Sequence, residues 1–268
     1  MIHGEDPEGL SWVMNYAALA SGSQGNCHAL FDGERALLID AGISLKQVKA
    51  RMAAVGLDPG AVTAVALTHE HSDHIGAVGV LLRRTPWAFL ATPETKAAVE
   101  AIHGIAIPPE RWIPLRAGHA VDWCGWRIHP FALPHDASDP VAYRVEAQGF
   151  AAAVVTDLGH GTALVADHCQ DLDLLVLEAN HDVAMLREGG YPPALKARIL
   201  SRVGHLSNDA MAALLATVLS PRLKDVVLAH LSEQNNHPDL ARFAAEEALR
   251  GHGARLRLAL QREPLAVA

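Results

Sequence analysis

Thr68-His69-Glu70-His71-Ser72-Asp73-His74 follows directly on Ala61-Val-Thr-Ala-Val-Ala-Leu67, an apolar, β-rich run. In an extended segment His69, His71 and Asp73 alternate to one side, and His74 joins them as the chain turns into a helix. Three imidazoles and a carboxylate within six residues are costly neighbours without a metal. The rings cannot all be protonated side by side, and buried nitrogens left unpaired are unfavourable. A divalent cation removes both difficulties, since zinc binds neutral imidazole nitrogen and carboxylate oxygen at about 2.0–2.2 Å. A chance run of surface histidines has no reason to follow a hydrophobic strand or to contain an acid.

Upstream of this cluster, ALLID at 36–40 reads as a buried strand ending in an acid. Ser44 then caps a helix whose Leu45, Val48, Met52 and Val55 share one face, and Gly56 stops it. Downstream, the pattern predicts a helix over about 74–84, a strand at 87–92, and a helix begun by Thr92-Pro93 and running to about 103. Residues 104–140 are rich in Pro, Gly and Trp, with short strands expected at 111–115 and 121–131. Further strands are expected at 141–147, 150–157, 173–180, 225–230 and 254–260, with helices at 181–188, 193–202, 207–219 and 238–250. Residues 1–15 read as a loose lead-in to one domain spanning the chain, without linker or repeat. Four of the apolar strands end in Asp or His, so ligands from strand ends can meet at one rim. Helices outside two sheets make an α/β, four-layer αββα sandwich, and a doubly wound parallel sheet is the alternative. The SGSQGNC segment at 21–27 suggests a phosphate loop but fits neither GxGxxG nor GxxxxGK[ST].

Composition narrows the function class. Of 268 residues, 50% are hydrophobic and 19% charged, which suits a globular chain with a sizeable core. No apolar run approaches the roughly 20 residues of a membrane span. The start, MIHGEDPEG, lacks the basic region and apolar run of a signal peptide. Cys27, Cys124 and Cys169 are odd in number and show no CxxC spacing, so a thiolate site is not expected and a reducing cytoplasm fits best. A net charge of −8 argues against coating nucleic acid by bulk electrostatics, but two divalent ions would add four positive charges locally.

HxHxDH after a hydrophobic strand resembles the signature of the metallo-β-lactamase superfamily, whose fold is the αββα sandwich. Asp40 matches the acid that supports the motif, His135 in LPHDASDP the third histidine, Asp157 in VVTDLG the bridging aspartate, and His230 in VLAHLS the last histidine. The resemblance implies one metal on His69, His71 and His135, a second on Asp73, His74 and His230, and Asp157 between them. Zinc is the first expectation, with manganese or iron also compatible. The Cys ligand typical of hydrolytic β-lactamases is missing, since only Cys169 follows Asp157. More widely, SGSxGN, HDAxDPVxY, TDLG, EANHD, YPxxLKxRIL, GHLSN and LAHLSxxNN are similar to the YycJ/WalJ group, bacterial cytosolic proteins described as 5′→3′ exonucleases on double-stranded DNA.

Two metals about 3.5–4 Å apart can activate a water and polarise a substrate oxygen, a chemistry that serves β-lactams, thioesters, lactones and phosphodiesters alike. The resemblance to tRNA-maturing nucleases in VGHLSNDAMAALLA makes His205 a general acid or charge stabiliser oriented by Glu178. His205, Glu178 and Asp73 are therefore the expected catalytic set. Expected substrate contacts are Ser21, Ser23 and Asn26 of the first loop, Asn180 and His181 after the 173–180 strand, Asn208, and the cations Lys196 and Arg202. Ser207 or Asn208 most simply caps the next helix, and Lys196 and Arg202 read equally as a solvated face. The expected function is a dinuclear 5′→3′ exodeoxyribonuclease acting on DNA. A small-molecule thioester, lactone or cyclic phosphodiester hydrolase and a weakly catalytic metal-binding regulator are the alternatives.

Overall fold

The structure, a computed structural model, describes residues 14–267. Residues 1–13 of the expected lead-in lie outside the described residues, whereas Met14 is buried and Asn15 already opens a strand. The first half of the chain forms β1 (Asn15–Ala20), β2 (Cys27–Phe31), β3 (Ala36–Ile39), α1 (Leu45–Ala54), β4 (Val62–Ala66), α2 (Ser72–Ile75), α3 (Val78–Arg84), β5 (Ala88–Ala91), α4 (Pro93–His103) and β6 (Trp112–Pro114). The second half begins with β7 (Val121–Trp123), β8 (Trp126–Ala132), β9 (Val141–Ala147), β10 (Phe150–Val155), α5 (Ala163–His168) and β11 (Leu174–Glu178). It continues with α6 (Val183–Glu188), α7 (Pro193–Ile199), α8 (Asn208–Val218), β12 (Asp225–Ala229), α9 (Pro238–Ala248), β13 (Arg255–Leu258) and β14 (Leu265–Val267).

Two seven-stranded sheets result, in the orders β14-β1-β2-β3-β4-β5-β6 and β13-β12-β11-β10-β9-β8-β7. Each is antiparallel at one end and parallel at the other: β3–β6 run parallel in the first sheet and β10–β13 in the second. Three apolar clusters define the layers. Leu37, Ile39 and Ala66 of the first sheet meet Tyr143, Val154 and Val227 of the second between the sheets. Val48, Met52, Leu81 and Val99 lie under helices on the outer face of the first sheet. Val165, Met211, Leu215 and Ala245 do the same on the second. This is the four-layer αββα sandwich, and the doubly wound alternative is excluded because, among the described residues, no single sheet carries helices on both faces.

Local departures from the expected elements have physical causes. The helix expected over 74–84 breaks at Gly76-Ala77, because the Ala77 amide donates to the Ala41 carbonyl (2.8 Å) across the loop. The strand expected over 121–131 is a hairpin, turned at Cys124 and Gly125, both at positive φ. Its Trp126 is buried and donates to Asp32 Oδ2 (3.0 Å), so the Trp-rich stretch serves packing. The helix expected over 193–202 ends at Ile199, leaving 200–207 as a loop. Among the described residues, no helix is long and apolar enough to cross a membrane.

Residues 21–26 join β1 to β2 and interlock with the loops after β3 and β4. The Asn26 amide donates to the Asp73 carbonyl (2.7 Å), Gly42 N–H to the Asn26 carbonyl (2.8 Å), and Ala41 N–H to the His74 carbonyl (2.7 Å). Gly42 permits this crossing, since a Cβ there would fall 1.7 Å from the Asp73 carbonyl oxygen. Gly42→Ala must push the loops apart, so it should cost about 3 kcal/mol or more of stability. Thermal unfolding of the variant, with zinc titration alongside, measures both the stability loss and the accompanying loss of metal affinity.

Candidate metal centre

Asp40, His69, Asp157, Glu178 and His230 all stand at or just beyond the C-terminal ends of parallel strands β3, β4, β10, β11 and β12. The two parallel halves face each other there, so residues far apart in sequence share one rim. Asp40, Asp157 and His230 each adopt a left-handed backbone (φ 63°, 60° and 56°) immediately after their strands. That conformation costs a non-glycine residue free energy, and it turns each side chain sharply from its strand toward the rim.

The nitrogens converge in two groups. His69 Nε2 lies 3.0 Å and His135 Nε2 3.2 Å from His71 Nδ1. Two ligands of a tetrahedral zinc stand about 3.3 Å apart, so this triad has the span of a metal site. Asp73 Oδ2 lies 3.4 Å from His74 Nε2 and 3.5 Å from His230 Nε2, forming the second group. Asp157 reaches both, with Oδ2 3.1 Å from His74 Nε2 and Oδ1 3.7 Å from His135 Nε2. Asp157 Oδ2 and His230 Nε2 are buried without hydrogen-bond partners among the described residues. Buried polar atoms are rarely left so, and a cation between them would satisfy both. Five imidazoles and two carboxylates, with no thiolate, form a donor set that fits two divalent ions.

In four of the five rings the far nitrogen is tied from behind, which orients the ring. His74 Nδ1 donates to Asp40 Oδ2 (2.7 Å). His69 Nδ1 donates to Thr68 Oγ1 (2.9 Å), whose hydroxyl in turn donates to Asp40 (2.9 Å). One carboxylate thus orients a ligand in each group. His135 Nδ1 donates to the Gly204 carbonyl (3.1 Å), and His230 Nδ1 to Glu178 Oε1 (2.8 Å). Glu178 also holds His205 Nδ1 (2.9 Å), while its Oε2 accepts the backbone amides of Leu158 (2.7 Å) and Leu206 (3.0 Å). Burial would raise the Glu178 pKa, but His205 and His230 outweigh it and bring it to about 2. Glu70, between the first two histidines, turns outward and accepts the Ser138 amide and hydroxyl (2.8 Å each).

The other expected contacts divide into buried and exposed groups. Ser21 Oγ accepts the His230 amide (2.7 Å), and Asn26 bonds to Gly22 while its Nδ2 lies 3.1 Å from His74 Nε2 and 3.4 Å from Asp73 Oδ2, beside the second group. Asn180 donates to the His230 carbonyl (3.0 Å), and Asn208 forms a reciprocal amide pair with Asn236. Ser207, rather than Asn208, caps α8. His181 is buried with both ring nitrogens unpartnered among the described residues. Ser23 and Arg202 are exposed, and half-buried Lys196 donates to the Arg187 carbonyl (2.7 Å). Sequence reading missed Thr68, Gly204 and Asn236 as supports. Only Thr68, adjoining the motif, carried a local signal.

The chain matches the beta-lactamase superfamily domain over residues 35–230. It is 35% identical over 240 residues to exodeoxyribonuclease YycJ of Bacillus anthracis, covering 90% of both chains. It is 37% identical over 227 residues to exodeoxyribonuclease WalJ of Streptococcus pneumoniae, covering 84% of both. Among solved structures, the metallo-β-lactamase fold protein YhfI from Bacillus subtilis superposes with a TM-score of 0.70 at 15% identity, covering 95% of this chain and 99% of that one.

Before metal binds, charge in the pocket is uneven. Burial would lower His230, but Asp157, then Asp73 and Glu178, override it and push its pKa up to about 10. His74 is likewise raised against burial by Asp157, Asp40 and Asp73, whereas burial holds His69 and His135 down. At neutral pH the second group therefore binds protons that a metal must displace, whereas burial disfavours protons on His69 and His135. Raising the pH from about 6 to about 8 should strengthen the weaker zinc equivalent by up to tenfold per unit for each displaced proton, and the tighter one less. Calorimetry in buffers of different ionisation enthalpy measures those protons, and equal pH dependence of both equivalents would contradict the assignment. Asp40→Asn should weaken both equivalents by about 10- to 100-fold, because the carboxylate orients a ligand in each.

Proposed function

Because the chain belongs to the metallo-β-lactamase superfamily, we propose that it is a two-metal phosphodiesterase, a cytoplasmic 5′→3′ exodeoxyribonuclease acting on DNA. The observation that carries this reading is the Glu178–His205 pair beside the metal groups, with His205 Nδ1 2.9 Å from Glu178 and 3.7 Å from Asp157. The thiolate of a thioester departs without a proton, whereas the alkoxide that leaves a phosphodiester needs one, and His205 stands outside the ligand set to supply it. The names of the relatives, both exodeoxyribonucleases at more than 30% identity over most of the chain, support the same substrate class.

Two divalent ions, zinc foremost, supply an activated water and positive charge at the phosphate. His69, His71 and His135 would hold one, Asp73, His74 and His230 the other, with Asp157 between them. His205 sits between the rings of His135 and His230, with centroids 5.3 Å from each. With Nδ1 bound to Glu178, its Nε2 has no protein partner among the described residues and is free to act on substrate. In the protonated state Nε2–H donates to the departing oxygen, and the buried Glu178 carboxylate stabilises the imidazolium until then. Glu178 has all four of its hydrogen bonds made, so it orients the ring and does not itself transfer a proton. Asp73, 22% exposed at the side chain, would be a ligand open to the cleft. Exposed Ser23 and Arg202, with Lys196, would face the backbone of the substrate. The interior bonds of Ser21, Asn26, Asn180 and Asn208 suit them to hold the loops that present it.

Zinc- or manganese-loaded protein should release nucleotides from 5′-labelled duplex DNA and hydrolyse bis(p-nitrophenyl) phosphate, with thioesters left intact. Thioester turnover without any phosphodiester cleavage overturns the reading. His205→Ala should lower the phosphodiester rate by about 10²- to 10⁴-fold while retaining both metals. Asp157→Ala should lose metal as well as rate, which metal analysis after dialysis distinguishes.

A further inference from the structure

The loop that follows α7 carries a pairing that neither the metal groups nor Glu178 uses. His160 Nδ1 lies 2.9 Å from the Arg202 carbonyl, and His160 Nε2 lies 2.7 Å from Arg202 Nη2. The carbonyl only accepts, so Nδ1 carries the proton. Nε2 then offers its lone pair to the guanidinium, which only donates. One imidazole thereby grips both ends of one arginine and sets the direction of its fork.

A neutral partner is the decisive point. Arg198, four residues earlier, is bidentate on Asp136, and Arg144 and Arg222 are held by Glu146 and Asp173. A carboxylate cancels the charge it orients, whereas an imidazole orients the guanidinium and leaves its full positive charge. Arg202 is exposed and has no carboxylate within ion-pair distance among the described residues. The guanidinium carries five N–H groups, most of which remain for a ligand with two acceptor oxygens, the geometry of a phosphate.

The pair is also built into the rim of the metal centre. Gly159 N–H donates to the Pro134 carbonyl (3.0 Å), and the Asp136 amide donates to the Val203 carbonyl (3.1 Å). A Cβ on Gly159 would lie 2.2 Å from the Arg202 carbonyl oxygen, so glycine is required for the two loops to meet. The loops of His135, Asp157 and His205 are thus laced together, with Arg202 on their outer edge.

Resting on the phosphodiesterase reading above, we propose that Arg202, aimed by His160, forms a second phosphate subsite for a backbone phosphate adjoining the one at the metals. Its ligand is a polynucleotide strand, because a substrate with a single phosphate occupies the metal centre alone. His160 is a positioning residue and acts only through Arg202.

The test uses the zinc-loaded protein and four variants: Arg202→Ala, Arg202→Lys, His160→Ala and the double alanine variant. Binding to a cleavage-resistant phosphorothioate duplex is followed by fluorescence anisotropy over a range of salt, beside DNA cleavage and bis(p-nitrophenyl) phosphate hydrolysis. Arg202→Ala should weaken duplex binding about tenfold and reduce the slope of log affinity against log salt by about 1. His160→Ala should lose about fivefold in affinity, raising KM for DNA with kcat little changed, and the double variant should match Arg202→Ala. Arg202→Lys keeps the salt slope but not the affinity, since an ammonium lacks the held fork. In His160→Ala, hydrolysis of the single-phosphate ester and the unfolding temperature should stay at wild-type values, separating the subsite from a folding effect.

Additive losses in the double variant, or equal losses on DNA and on the small ester, overturn the subsite. A wild type that cleaves DNA while His160→Ala binds it unchanged also overturns the subsite but leaves the nuclease reading intact. A wild type that hydrolyses no phosphodiester removes the nuclease reading, and the anisotropy series still decides the clamp on its own terms.

Discussion

Five imidazoles crowd one pocket, and four of them can each present a lone pair to a metal because the opposite nitrogen is held. Asp40, Thr68, the Gly204 carbonyl and Glu178 provide this for His74, His69, His135 and His230. With those rings oriented, the inward nitrogens face a common space at 3.0–3.2 Å in the first triad, where cation binding relieves their mutual crowding. Two buried carboxylates divide this work. Asp40 links the two metal groups through the first sheet, and Glu178 links a metal ligand to the rim histidine through the second. The left-handed turns at Asp40, Asp157 and His230 deliver these side chains, and their strain is carried by the surrounding strands.

Much of this was legible in the sequence, for identifiable reasons. The strands that end in Asp40, Asp157, Glu178 and His230 are short apolar runs buried on both faces, so both their type and their endpoints stand out. The helix from Leu45 carries its own start signal, with Ser44 and Gln47 forming a capping box. Strand β1 was not legible: NYAALA has neither alternation nor β-branched residues, and it is a strand because β2 and β14 pair with it. The break between α2 and α3 is likewise tertiary, set by a bond to Ala41 more than 30 residues away.

Site residues follow the same division. The candidate metal cluster was readable because histidines packed so densely behind an apolar strand are too costly to keep unless a cation joins them. The roles of polar residues in the neighbouring loops were harder to read, since the sequence does not distinguish a side chain that meets substrate from one that satisfies a loop. Asn180 and Asn208 use their amides on a backbone carbonyl or on Asn236, and Asn26 shares its amide between the Gly22 carbonyl and the second metal group. Loops that leave a sheet abruptly expose many backbone groups, and interior amides are the usual means of pairing them. His160 shows the converse, an ordinary histidine in sequence that becomes notable only because its loop lies against Arg202.

The two sheets do not contribute equally to either metal group. His69, His71, Asp73 and His74 come from the first sheet, while His135, Asp157 and His230 come from the second. Each triad therefore spans the gap between the sheets, whose filling includes Ala18, Ala64, Ala66, Ala152 and Ala229. These small side chains act as the gauge blocks of the centre, because the thickness of the apolar layer fixes how far apart the two ligand sets stand. A methyl group added deep in that layer touches no ligand, yet it would open both triads at once. Metal affinity is in this sense a property of the core, set well below the surface on which the chemistry occurs.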